Sequence, residues 1–121
     1  MARKIALEEH FMYAGAEPSW TPTVADVDPK IYGPLVARLS DFGEQRLAAM
    51  GRAGIARAVL SLAGPGVQAE RDTATAIRKA REANDFLAGE VRKRPDRYSG
   101  LAPSADAGCS GSGRRVGALP A

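Results

Sequence analysis

The sequence predicts a parallel α/β fold with the element order βαβαβ, and its apolar runs and helical periods alternate in the way that fold requires. Ile5-Ala6-Leu7 and the Ala-Val-Leu-Ser-Leu-Ala centre of 56–63 are short apolar runs that read as strands buried on both sides. Stretches of helical period lie between and after them, and strand, helix, strand is the unit from which parallel sheets are built.

The first strand is expected over Lys4–Phe11, Lys-Ile-Ala-Leu-Glu-Glu-His-Phe. Alternation along a strand puts Glu8 and His10 on one face and Glu9 on the other. A carboxylate and an imidazole converging from one strand end make half of a divalent-metal site, with ligand types that suit zinc or manganese. The same spacing also describes two solvated side chains. The buried run before it favours the metal, because such a strand delivers its polar end to the sheet rim where α/β folds place their chemistry. His10 is the single histidine of the chain, so a His-rich catalytic site cannot be assembled from these residues.

Met12–Pro34 holds Pro18, Pro22, Pro29 and Pro34 together with Gly15 and Gly33, a density of breakers that predicts a long loop without a long regular element. Tyr13, Trp20 and Tyr32 give that loop something to stack with, either as a binding loop or as pins to the body. Leu39, Phe42, Arg46, Met50 and Ala53 then recur at helical spacing. Asp41 and Glu44 are placed as an N-terminal capping pair and Gly54 as a stop. The strand of 56–63 follows, closed by Gly64-Pro65-Gly66. A second helix is expected from Gln68 or Asp72 to Lys93, with Ile77, Ala80, Asn84, Leu87 and Val91 on one face and Pro95 beyond its end. Asn84 on that face is expected to hydrogen-bond locally. Tyr98–Ala102 reads as a third strand.

The chain has 121 residues, enough for one small domain, with 45% hydrophobic and 26% charged residues. The formal net charge is +3 and the pI about 9.4. The basic residues are mixed with acids on helical stretches, as in Glu70-Arg71-Asp72 and Arg81-Glu82, and no aromatics interleave them, so no nucleic-acid partner is expected. No apolar run reaches the length of a membrane span and no signal-peptide region opens the chain, so a cytoplasmic protein without a membrane partner is expected. Cys109 stands alone, which excludes an internal disulfide.

Five separated motifs in order resemble one group of enzymes. They are Ile5-Ala-Leu-Glu-Glu-His-Phe11, Leu47 to Ile55 (Leu-Ala-Ala-Met-Gly-Arg-Ala-Gly-Ile), Leu60-Ser-Leu-Ala-Gly-Pro-Gly-Val-Gln68, Ala83-Asn-Asp85 and Arg94-Pro-Asp-Arg97. Together they resemble the start of the metal-dependent aromatic-acid decarboxylases of the amidohydrolase superfamily, the relatives of γ-resorcylate and 2,3-dihydroxybenzoate decarboxylase. Most of that superfamily opens with His-x-His, whereas this branch resembles Glu-x-His, which Glu8 and His10 supply. The resemblance implies a (β/α)8 barrel of which residues 1–102 are the N-terminal part. It implies one zinc or manganese ion at the C-terminal face of the strands, and loss of CO2 from a hydroxylated benzoate, a small aromatic carboxylic acid, by a homo-oligomeric parent enzyme.

By the same resemblance Glu8 and His10 are metal ligands, and Ala63, Gly64 and Pro65 are a substrate wall. The family's later metal-binding His and its catalytic Asp, which protonates the ring carbon, have no counterpart in this sequence, so a truncated and inactive chain is expected. A hydrolase of the same superfamily is the alternative, since the same metal can activate water. A small non-catalytic α/β binding domain is another.

From Pro103 on, Ser, Gly, Ala, Arg and Pro dominate and no period survives, so 103–121 reads as a disordered, non-native-looking tail. The codons permitted for Pro103–Ser110, read one base further along, can give His-Leu-Pro-Met-Gln-Asp-Ala-Ala, which resembles the family's continuation. A frameshifted tail is therefore expected.

Overall fold

A computed structural model describes residues 3–104. The expectation for the tail falls on 103–121, of which 105–121 lie outside the described residues. Strands β1 (Lys4–Phe11), β2 (Ile55–Leu62) and β3 (Tyr98–Gly100) form a parallel sheet in the order β1-β2-β3. Between β1 and β2 lie α1 (Glu17–Trp20), α2 (Pro29–Ser40) and α3 (Glu44–Ala53), and α4 (Thr73–Lys93) connects β2 to β3. The βαβαβ order of the sequence is the order of the fold.

The first crossover differs from expectation. Met12–Pro34 is not a loop throughout: it holds α1, a 3-10 turn over Thr21–Val24 and the first half of α2. Asp28 caps α2 by accepting the Lys30 amide at 2.8 Å, and Pro29 takes the first helical position, where a missing N–H costs nothing. Pro34 lies inside the helix. The prolines that looked like breakers include the start signal itself. Tyr13 stacks on Phe86 of α4 and pins the segment to the body, Trp20 stacks on Tyr32 within the segment, and Trp20 also packs in a cluster with Ala63 after β2.

The stripe from Leu39 to Ala53 is divided between two helices, with Leu39 near the end of α2 and Phe42 in the turn before α3. Asp41 accepts the amides of Gly43 and Gln45, so the expected cap is in place. Gly54 ends α3 at φ 68°, a left-handed conformation in which its amide returns to the carbonyls of Met50 and Gly51. Asp72 caps α4 through the Thr75 amide at 2.8 Å, and Gln68 belongs to a separate 3-10 turn, Gly66–Ala69. The buried face of α4 is Ala76, Ala80, Ala83 and Leu87, one residue round from the expected stripe, and Ile77 is 39% exposed.

Helices cover one face of the sheet. Ala58 and Leu60 of β2 are buried there with Phe11, Phe42, Met50, Leu87 and Tyr98, and the Tyr98 hydroxyl donates to the Phe42 carbonyl at 2.7 Å. A second cluster of Met12, Trp20 and Ala63 seals the strand ends toward α2. The expectation that Ile5-Ala6-Leu7 is buried on both sides does not hold among the described residues. Ile5 is 59% and Leu7 70% exposed, and neither joins the apolar clusters of the described residues, which gather at the other end of β1 around Phe11 and Met12.

Candidate metal centre

Glu8 and His10 stand in the last four residues of β1, at the C-terminal end of a parallel sheet. The strand reaches them irregularly. Ala6 pairs with Ala58 but Glu9 pairs with Leu60, so three steps along β1 match two along β2. This is a bulge, and Glu8 sits in it at φ 61°, a left-handed backbone for a residue with a side chain. Simple alternation, on which the pairing of Glu8 with His10 was expected, therefore does not run through Glu8. Past the bulge the register is regular: His10 pairs with Ser61 and Phe11 with Leu62. His10 thus stands beside Ser61, on the positions alternate to buried Leu60. Glu8, Glu9 and His10 are all exposed.

Ser61 links this strand end to the proposed substrate wall. It lines a cavity of about 190 Å³ with Gly64, Pro65, Gln68, Leu101 and Pro103, at the C-terminal ends of β2 and β3. The Gly64–Pro65 peptide bond is cis. Ala63 is placed differently: its amide donates to the Phe11 carbonyl at 2.9 Å and its side chain is buried against Met12 and Trp20. The structure therefore brings Gly64 and Pro65 to one cavity and leaves Ala63 behind it.

Asn84 reaches the same strand end from α4. Its amide group donates to the Pro103 carbonyl at 3.3 Å, while Oδ1 is buried and has no hydrogen-bond partner among the described residues. The expectation of a local bond is corrected to one across nineteen residues.

On the other side of His10, Arg46 was legible only as a member of an apolar stripe. Its Nε donates to the Asp41 carbonyl at 2.7 Å, and its Nη2 lies 2.8 Å from the His10 carbonyl, 3.2 Å from that of Leu39 and 3.3 Å from that of Arg38. The guanidinium also lies over the Phe42 ring, 5.6 Å from its centroid. Burial lowers its pKa, and the charges of Tyr98, Glu9 and Asp41 act in the opposite direction. An open groove of about 630 Å³ runs beside it, lined by Glu9, His10, Arg38, Glu44 and Arg52 among others.

No protein-family model matches the chain. Individual relatives do. The γ-resorcylate decarboxylase of Polaromonas sp. (strain JS666) is 42% identical over 102 residues, and that of Rhodococcus jostii (strain RHA1) is 46% identical over 103. Over the matched residues the chain is homologous to the first part of γ-resorcylate decarboxylases. It spans about 30% of the length of these decarboxylases, and each match takes in 84% of the chain.

The solved decarboxylases share its fold. A dihydroxybenzoic acid decarboxylase from Polaromonas sp. JS666, with bound manganese and the inhibitor 2-nitroresorcinol, superposes with a TM-score of 0.78 at 40% identity, covering 87% of this chain and 31% of that one. A 5-carboxyvanillate decarboxylase from Novosphingobium aromaticivorans, also with manganese, gives 0.70 at 32% identity, covering 84% and 34%. The sheet described above is the corresponding part of their barrel fold.

The donor types of this chain fit a hard or borderline divalent ion, since Glu8 offers a carboxylate and His10 an imidazole. They fit it as part of a site: among the described residues no group of three or more His, Cys, Asp or Glu could hold a metal.

Proposed function

We propose that residues 1–102 are the first part of a (β/α)8 decarboxylase barrel that removes CO2 from a small hydroxylated aromatic acid, and that Glu8 and His10 hold its divalent metal, manganese or zinc. The observation that carries this reading is 42–46% identity, over 84% of the chain, to γ-resorcylate decarboxylases. The backbone of Glu8 supports it. A left-handed conformation outside glycine costs about 1–2 kcal/mol, and such strain clusters at sites where a side chain must be aimed.

A bound divalent ion would anchor the substrate's carboxylate and phenolic oxygens and offset negative charge there. What this chain contributes is narrower. Glu8 and His10 present one carboxylate and one imidazole, and Ser61, Gly64 and Pro65 offer a wall on the neighbouring strand. The ring proton is assigned to an acid elsewhere in the complete enzyme. Homo-oligomeric assembly in the cytoplasm belongs to the same reading. None of the described helices is long and apolar enough to cross a membrane.

The test is a chimera in which residues 1–102 replace the matching segment of the Polaromonas γ-resorcylate decarboxylase. Manganese-dependent CO2 release from 2,6-dihydroxybenzoate is expected, and it should be lost in Glu8→Gln and His10→Ala. A folded chimera that retains manganese and releases no CO2 would count against the reading.

A further inference from the structure

Three elements meet at the Arg46 guanidinium: the end of β1 through His10, the end of α2 through Arg38 and Leu39, and the turn before α3 through Asp41. Every acceptor is a main-chain carbonyl. Those of Arg38 and Leu39 belong to the last turn of α2, at the negative end of the helix dipole; the Arg38 carbonyl also accepts the Asp41 amide at 3.3 Å. A cation with a planar fork is matched to such a cluster, because its hydrogens diverge in one plane and it stays charged when buried. The same seam holds one further bond, from the amide of Met12, the residue after β1, to the Leu39 carbonyl at 3.0 Å, so Leu39 accepts from both Met12 and Arg46. Among the described strands, the end of β1 has one neighbour, β2.

We infer that Arg46 is the positioning residue of the metal edge: by clamping the His10 carbonyl to the end of α2 it fixes where the His10 imidazole stands. The inference rests on the proposed role of His10 as a ligand, but the clamp itself concerns the main chain. The clamp acts on the main chain of His10 and gives Arg46 no contact with metal or substrate. A lysine would keep the charge and lose the fork, so Arg46→Lys separates geometry from charge.

The test compares wild type, Arg46→Lys, Arg46→Met and the surface control Arg78→Ala in the 121-residue chain. Hydrogen exchange of β1 is followed by mass spectrometry, and Mn2+ uptake by loss of the free-ion electron spin resonance signal. In both Arg46 variants the Met12 amide should exchange faster, relative to the Leu60 amide, on the order of tenfold, as expected when bonds to a charged group are lost. Mn2+ affinity should fall by a similar factor, and Arg78→Ala should change neither. Arg46→Met tests the loss of charge and fork together, and Arg46→Lys decides the matter if the methionine variant does not fold.

Unchanged exchange and Mn2+ uptake in Arg46→Lys would overturn the inference. So would exchange that rises equally in β2 and α4, which would make Arg46 a general stabiliser. Mn2+ affinity that survives while Met12 exchange rises would also overturn the positioning role and leave the ligand reading intact. A wild-type chain that takes up no Mn2+ would instead count against Glu8 and His10 as ligands, and the exchange comparison would still decide the clamp.

Discussion

The hydroxyl of Tyr98 on β3 donates to the main-chain carbonyl of Phe42 at 2.7 Å, fully inside the helix-covered face of the sheet. This single bond ties the third strand to the turn that starts α3. Tyr98→Phe keeps the ring and leaves that carbonyl unpaired, so it should destabilise the chain by about 1–3 kcal/mol in denaturant unfolding.

Burial also raises the Tyr98 pKa above its ordinary value, with Arg46 and Arg94 opposing the rise. The folded state therefore holds the phenolic proton more tightly than the unfolded state. Its contribution to stability is complete below the unfolded pKa of about 10 and is lost as pH rises through the folded one. Thermal midpoints should fall above about pH 10, and the fall should be shallower in Tyr98→Phe. Tyr13, also raised by burial, should account for part of the remaining slope.

Two glycines of one helix should respond to alanine with opposite signs. Gly54 adopts φ 68°, so Gly54→Ala should cost about 1–2 kcal/mol although nothing lies near the added methyl. Gly51, inside α3 and equally open, should gain up to about 1 kcal/mol from Gly51→Ala. Parallel urea titrations would read both changes.

Glu8 should show a conflict between stability and binding. Glu8→Gly removes the strain of φ 61° and should leave the chain as stable or up to about 1 kcal/mol more stable, while Mn2+ uptake is lost. Glu8→Gln should lose the uptake without the gain in stability. Equal stability changes in the two variants would contradict the assignment of strain to Glu8.

Two ligands are fewer than the three protein groups of an ordinary catalytic zinc site. The 121-residue chain should therefore hold zinc or manganese weakly and release no measurable CO2 from a dihydroxybenzoate. Release that is abolished by His10→Ala would overturn this expectation.

For residues 103–121 we propose a shifted reading frame, and the coding DNA decides it. Read one base further along from the Pro103 codon, it should give His-Leu-Pro-Met-Gln-Asp-Ala-Ala and continue open toward Ala-Ala-Asp-Asp-Glu-Leu-Glu. Any other peptide in that frame removes the proposal.

The parts of the fold that were legible in the sequence are those with local signals. The apolar run of β2, the Asp72 cap of α4 and the Gly54 stop of α3 each need only neighbouring residues to act. α2 was hidden because its start signal, Asp28-Pro29, lay among prolines that read as breakers. At the candidate site, residue types were legible and geometry was not. Glu-x-His identifies donors, but the bulge that sets the Glu8 backbone depends on pairing with a strand about fifty residues away. Arg46 occupied a helical stripe like any core residue, and its carbonyl partners come together only when β1, α2 and α3 are packed.

The spatial order β1-β2-β3 is also the order of synthesis. On a ribosome, each new strand would emerge next to a partner already made, and β1 would wait only for α1, α2 and α3 before its neighbour arrived. Among the described strands none is inserted between two earlier ones, so each pairing closes a single crossover. The growing sheet would always present its free edge toward the next segment to leave the exit tunnel, and the helix-covered core around Leu60 could condense before the chain beyond β3 exists.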